Sequence, residues 1–192
     1  MARGTALSLP NILTYARIAA VPAVAACHFV PGDEARWTAV AIFVAAAVTD
    51  FFDGYLARAW QQQSALGRML DPIADKLLVA TCLLLLAGSG TIGGWSLIAA
   101  IIILCREMLV SGLREYLAEL RVGVPVTKLA KYKTTAQLVA VGVLLAHPAG
   151  DRVIPYLSTI GLGLLWISAI LTLYTGWDYF RAGIGHLVES EP

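Results

Sequence analysis

Six long apolar stretches, separated by short polar breaks, constrain this chain more than any other feature. They run from about Ile12 to Phe29, Trp37 to Ala59, Met69 to Ala87, Trp95 to Leu120, Leu129 to Ala146 and Ile154 to Phe180. A bilayer-spanning helix needs about 20 mostly apolar residues. Within lipid the backbone must satisfy its own polar groups, so such stretches become helices. The expected fold is therefore all-α: a polytopic membrane protein with six transmembrane helices, forming one membrane domain over residues 1–192. Composition agrees, since only 14% of the residues are charged against about 25% in soluble domains. No polar segment is long enough for a separate soluble domain. The net charge of +1 gives no reason to expect a nucleic-acid partner.

Lys and Arg gather on cytoplasmic loops and helix ends. With six spans, twelve of the fourteen basic residues fall on the side of the two termini, leaving Arg36 and Arg152 opposite. Both termini are thus expected in the cytoplasm. Trp37, Trp95, Tyr156, Trp177 and Tyr179 lie near span ends and read as interfacial anchors. Cys27, Cys82 and Cys105 sit in apolar runs without C-x-x-C spacing, and read as small buried hydrophobes. The first residues show no cleaved signal peptide. His28, His147 and His186 lie near span ends on differing sides and read as residues without a chemical role.

The informative acids are Asp50 and Asp53, at i and i+3, and Asp71 and Asp75, at i and i+4. Each pair occupies one helix face. The two helices are joined by a short loop, so they are expected to be antiparallel neighbours with the aspartates converging near the cytoplasmic boundary. An Asp at a span centre costs about 2.5–3.5 kcal/mol to insert, and four like charges also repel. Arg58, Arg68 and Lys76 can offset part of that charge. A pair of divalent cations does so better, because hard oxygen ligands suit Mg²⁺ or Mn²⁺. Mg²⁺ commonly shares its carboxylates with substrate phosphates, which points to a phosphate-bearing substrate. Gly54, Ala57 and Gly67 leave room for a flat group against the backbone, and Arg58 suits a phosphate. Two other readings stay open on residues alone: a divalent-cation transporter, and a salt-bridged cluster that only holds helices together.

The string D-x-x-D-G-x-x-A-R-x8-G-x3-D-x3-D, matched at Asp50, Asp53, Gly54, Ala57, Arg58, Gly67, Asp71 and Asp75, resembles the signature of the CDP-alcohol phosphatidyltransferase family. The resemblance covers essentially the whole chain. It implies that Asp50, Asp53, Asp71 and Asp75 hold two divalent ions, and that Gly54, Ala57, Arg58, Ser64 and Gly67, beside Asp50, Asp53 and Asp71, line the CDP-lipid nucleotide site. It makes Asp75 the general base on an acceptor hydroxyl. The implied reaction is displacement at the β-phosphorus of CDP-diacylglycerol, with release of CMP. It also implies a homodimer among membrane lipids.

A second basic cluster bears on the acceptor alcohol. Arg106 and Arg114 are eight residues apart, about 80° around a helix, and so share a broad face. Lys131 and Lys133 enter the next span. Such cations suit an acceptor with its own phosphate. Arg106-Glu-Met-Leu-Val-Ser-Gly-Leu-Arg114-Glu115, Lys131-Tyr-Lys133-Thr134-Thr135-Ala-Gln137 and the opening Leu9-Pro10-Asn11-Ile12-Leu13-Thr14-Tyr15-Ala16-Arg17 resemble strings in family members that use glycerol 3-phosphate. Inositol phosphate and phosphatidylglycerol are the alternative acceptors. Asn11, Thr14 and Arg17 are placed to reach a headgroup, with helix capping as the other role for Asn11. Ser111 and Thr134 read as helix-packing hydroxyls. The implied setting is a bacterial inner membrane, with the active site on its cytoplasmic side.

Overall fold

A computed structural model describes residues 9–60, 65–120 and 128–189. These residues form helices and connecting turns, without a strand among them. The helices are α1 (Leu9–Phe29), α2 (Asp33–Trp60), α3 (Ala65–Gly88), α4 (Ser96–Glu119), α5 (Lys128–Leu145), the short α6 (Ala149–Val153) and α7 (Leu157–Glu189). Each apolar stretch of the sequence thus coincides with one long helix. Within them Asn11–Phe29, Ser96–Ala118 and Leu157–Arg181 are long and apolar enough to cross a membrane, while the apolar part of α5, Tyr132–Leu145, is shorter.

The distribution of side chains is that of a molecule in lipid. Large apolar residues face outward, with Leu84 at 64% and Ile170 at 62% exposure. Polar ones turn inward: Asn11, Thr14, Arg17, Lys133, Gln137, Ser168, Thr172 and Thr175 are all buried. In hydrocarbon there is no penalty for an outward Leu, whereas a polar side chain must find its partner inside.

Internal contacts divide the chain into two compact units, Met1–Thr91 with Val141–Ser158, and Ile92–Ala140 with Thr159–Pro192. In the first unit α1 packs along both α2 and α3. Arg36, near the start of α2, meets His28 at the end of α1 at 2.7 Å, and Arg17 meets Asp50 further along. The pairing order rises along α1 and falls along α2, so the two helices are antiparallel. At the Arg36 end of α2, Arg152 of α6 donates to both carboxylate oxygens of Asp33, at 2.5 and 2.6 Å.

The turn between α6 and α7 is set by Asp151. Its Oδ1 accepts from the backbone N–H of Ser158 at 2.7 Å and its Oδ2 meets Nδ1 of His147 at 2.9 Å. The carboxylate thereby satisfies one of the orphan donors at the start of α7. These bonds hold the Asp151 carboxyl down at about 2.

In the second unit Arg106 of α4 bonds to Thr175 of α7, and Arg114 bonds to Tyr179. The order rises in both helices, so α4 and α7 run in the same direction.

Three readings change. Asn11 is not a cap, because α1 already begins at Leu9 and Asn11 is buried inside it. Tyr179 is not an interfacial anchor: it is 4% exposed and its hydroxyl is taken by Arg114. Trp37, Trp95, Tyr156 and Trp177 are exposed as anchors should be. Of the three free thiols only Cys82 is buried; Cys27 is half-buried and Cys105 is exposed. His28 meets Arg36 and His147 meets Asp151, while the His186 side chain lies outside the described residues.

Candidate active site

The first polar cluster is assembled by α1 rather than by α2 and α3 alone. Thr14 and Arg17 stand one turn apart on α1, on its buried face. The Thr14 hydroxyl donates to Oδ1 of Asp71 on α3. Nη1 of Arg17 lies 2.6 Å from Oδ1 of Asp50 on α2. One helix thus holds an acid from each of two others. Asp50 and Asp71 are close enough for their charges to act on each other. Asp75 lies one turn beyond Asp71 on α3 and is half-buried. Gly67, in the first turns of α3, is buried.

Asp53, Gly54, Ala57 and Arg58 lie on α2 with side chains outside the described residues, and Ser64 lies outside them altogether. Among the described residues no three acidic, histidine or cysteine side chains close into a ligand set. The full four-aspartate constellation includes Asp53, so it reaches beyond what those side chains define.

The donor chemistry nevertheless fits divalent cations. Thr14 gives Asp71 a hydrogen bond but no charge. Asp50 remains 44% exposed even with Arg17 against it, so a ligand can reach it. Partly exposed carboxylates on two helices, offering only oxygen, match hard ions.

The second cluster lies on α4, α5 and α7. Arg106 donates from Nη2 to the Thr175 hydroxyl at 3.1 Å, and its Nη1 lies 3.4 Å from Oε1 of Glu107. Lys133, buried on α5, donates to the same Glu107 oxygen. Arg114 donates from Nη2 to the Tyr179 hydroxyl at 2.8 Å, and its guanidinium carbon lies 5.4 Å from the centre of that ring. Lys131 is on α5, its side chain outside the described residues.

The bookkeeping of charge here is informative. Glu107 pairs with two cations, Arg106 and Lys133, while Arg114 is exposed and stands beside Glu115 in the chain. Hydroxyl oxygens also anchor Arg106 and Arg114, and a hydroxyl fixes position without adding a charge. Guanidinium and ammonium groups held in this way are suitable ligands for a phosphate.

Sequence reasoning missed Arg17 as the partner of Asp50, and missed Glu107, Thr175 and Tyr179 as anchors. A signal existed for Arg17: an arginine inside an apolar stretch has to find an acid or a water-filled cavity. For Thr175 and Tyr179 no comparable signal exists, because hydroxyl residues are ordinary in apolar helices.

The sequence model for CDP-alcohol phosphatidyltransferase matches residues 7–174. A protein of Rickettsia bellii named CDP-diacylglycerol–glycerol-3-phosphate 3-phosphatidyltransferase is 46% identical, over 91% of this chain and 94% of its own. A protein of that name from Cereibacter sphaeroides is 41% identical, over 96% and 99%. One from Pectobacterium atrosepticum is 39% identical, over 95% and 98%. The matched region includes both aspartate pairs, the α1 residues that hold Asp50 and Asp71, and the α4 arginines, and on these grounds the chain belongs to the CDP-alcohol phosphatidyltransferase family.

Proposed function

We propose that this chain transfers the phosphatidyl group of CDP-diacylglycerol to glycerol 3-phosphate, giving phosphatidylglycerophosphate and CMP. The observation that carries the acceptor is the anchoring of Arg106 and Arg114 through the uncharged hydroxyls of Thr175 and Tyr179. Arg106 is shared between Thr175 and Glu107, and the exposed Arg114 has its charge left for an acceptor that brings its own phosphate. The names of the relatives from Rickettsia bellii and Cereibacter sphaeroides support the same donor and acceptor.

The aspartates take the donor. Asp50, Asp53, Asp71 and Asp75 would hold two divalent cations, Mg²⁺ or Mn²⁺, which when bound polarise the pyrophosphate oxygens and stabilise the leaving group. Gly54, Ala57, Arg58, Ser64 and Gly67 line the nucleotide position. Arg106, Arg114, Lys131 and Lys133 bind the acceptor phosphate. Asp75 accepts the proton of the acceptor 1-hydroxyl as its oxygen bonds to the β-phosphorus. The bond from that phosphorus to the bridging oxygen breaks, and CMP leaves with the oxygen. The protein supplies position and charge balance rather than a covalent intermediate.

We further propose six spans in a single membrane domain, with both termini cytoplasmic and the active site on the cytoplasmic side of a bacterial inner membrane. The parallel course of α4 and α7 supports an intervening return leg. α5, 18 residues long and so about 27 Å, is the helix available for it. A homodimer among membrane lipids is the assembly that the family resemblance implies.

The test is a defined assay. Purified protein in detergent, with CDP-diacylglycerol and Mg²⁺ or Mn²⁺, is offered glycerol 3-phosphate, inositol phosphate or phosphatidylglycerol in turn, and CMP is measured. Release is expected with glycerol 3-phosphate and lost in Asp75→Asn. Release with another acceptor instead would reassign the pocket. No release with any alcohol, together with Mn²⁺ flux into proteoliposomes, would replace the enzyme by a transporter.

A further inference from the structure

We propose that Gly176 and Thr175 on α7 are positioning residues for the acceptor: Gly176 gives the Arg106 side chain the clearance it needs, and Thr175 fixes where its guanidinium points. The inference rests on the reading of Arg106 as an acceptor-phosphate ligand.

Arg106 lies across the bare backbone of α7. A Cβ placed on Gly176 would stand 3.0 Å from Cγ of Arg106, 3.3 Å from Nε and 3.8 Å from Cδ. The two shortest distances are closer than ordinary van der Waals contact. Even an alanine would require the arginine stem to give by a few tenths of an ångström. The neighbouring position supplies the direction. Thr175 donates its hydroxyl proton back to the carbonyl of Leu171 at 2.9 Å, which turns an oxygen lone pair outward, and Nη2 of Arg106 binds there at 3.1 Å. Nη1 faces Glu107, and Nε is buried against the glycine without a hydrogen-bond partner among the described residues. An arginine this confined has few rotamers open to it, so its terminal N–H groups are held ready instead of being ordered when the ligand arrives. Pre-ordering of this kind lowers the cost of binding.

The clash at position 176 falls on a side chain, not on backbone. The fold can therefore keep its shape while the guanidinium moves. This separates a positioning role from a packing role. Gly163, on the same helix, has open space where a Cβ would go and serves as the control.

The experiment measures KM for glycerol 3-phosphate, KM for CDP-diacylglycerol and kcat in Gly176→Ala, Thr175→Val, Gly163→Ala and Arg106→Ala, and in the doubles that combine Arg106→Ala with each of the first two. Gly176→Ala should raise the acceptor KM roughly tenfold and Thr175→Val roughly fivefold, with the donor KM within about twofold, the pattern of a ground-state contact to one substrate. Gly163→Ala should match the parent chain. With Arg106→Ala already present, neither α7 change should add anything, because residues acting through one group are non-additive. Additive effects, or equal rises in both KM values, would overturn the proposal. So would aggregation of Gly176→Ala in detergent where Gly163→Ala stays monodisperse, since the helix and not the side chain would then be what yields. An Arg106→Ala variant with an unchanged acceptor KM would bring down the acceptor reading itself. A raised KM in Arg106→Ala with silent α7 variants would bring down the positioning role alone.

Discussion

Arg17, 1% exposed on α1, places Nη1 2.6 Å from Oδ1 of Asp50 on α2. A buried guanidinium is tolerable when an acid answers it, and removing one partner leaves the other uncompensated. Asp50 is the more exposed of the two, so the loss of Arg17 should act mainly on how the carboxylate is oriented.

Arg17→Ala should therefore lower the rate of CMP release by about 10- to 100-fold, the usual cost of losing a group that orients a metal-binding side chain. Arg17→Lys should recover part of it, keeping the charge but not the planar fork. Parent-like rates in Arg17→Ala would show that the pair is dispensable.

Divalent-ion dependence should follow the aspartates. Chelation with EDTA should abolish CMP release, and added Mg²⁺ or Mn²⁺ should restore it. Asp50→Asn and Asp71→Asn should raise the metal concentration for half-maximal activity by roughly tenfold or more, since each removes a charged oxygen ligand. A metal titration unmoved by both substitutions would count against the assignment.

Tyr179 offers a clean separation of ring from hydroxyl. Tyr179→Phe keeps the ring beneath Arg114 but removes its hydrogen-bond acceptor. We expect the acceptor KM to rise by roughly three- to tenfold with the donor KM unchanged, in line with the net contribution of about 0.5–1.5 kcal/mol from one hydrogen bond, and Arg114→Ala to raise it further. Equal changes in both KM values would mean that Tyr179 only packs.

The Asp151 turn predicts a pH dependence of stability. Its folded-state value of about 2 lies below the ordinary 3.8. A carboxyl depressed on folding stabilises fully above its unfolded value and loses that contribution as pH falls through the folded one. Asp151→Asn, which mimics the protonated acid, should lower Tm at neutral pH, and the gap to the parent chain should close between about pH 4 and pH 2. A gap that stays constant with pH would mean that the carboxylate charge is irrelevant to the turn.

How far the sequence could be read depended on the range of each interaction. The helices were legible because apolar stretches of bilayer length leave the backbone no alternative. Asp50 with Asp53, and Asp71 with Asp75, were legible as faces because helical periodicity is local. The same holds for Arg106 and Arg114, which do point at a common neighbour, α7. The identity of that neighbour was not legible. Thr175 and Tyr179 are 69 and 65 residues away from the arginines they hold, and register between helices leaves no trace in spacing. The bridging by Thr14 and Arg17 is hidden for the same reason. α6 escaped notice because one turn of helix after Pro148 has the composition of a loop.

Anchoring an exposed arginine through a hydroxyl has a kinetic consequence. Arg114, exposed and held by the Tyr179 hydroxyl, has a field that reaches into water, about 8 Å at physiological ionic strength. A small soluble anion diffusing from the aqueous phase is drawn by that field, and its capture slows as salt is added. A lipid donor arrives sideways through the bilayer and does not make that approach. The two substrates of one reaction should thus differ in salt sensitivity, the dissolved one strongly and the membrane-borne one weakly.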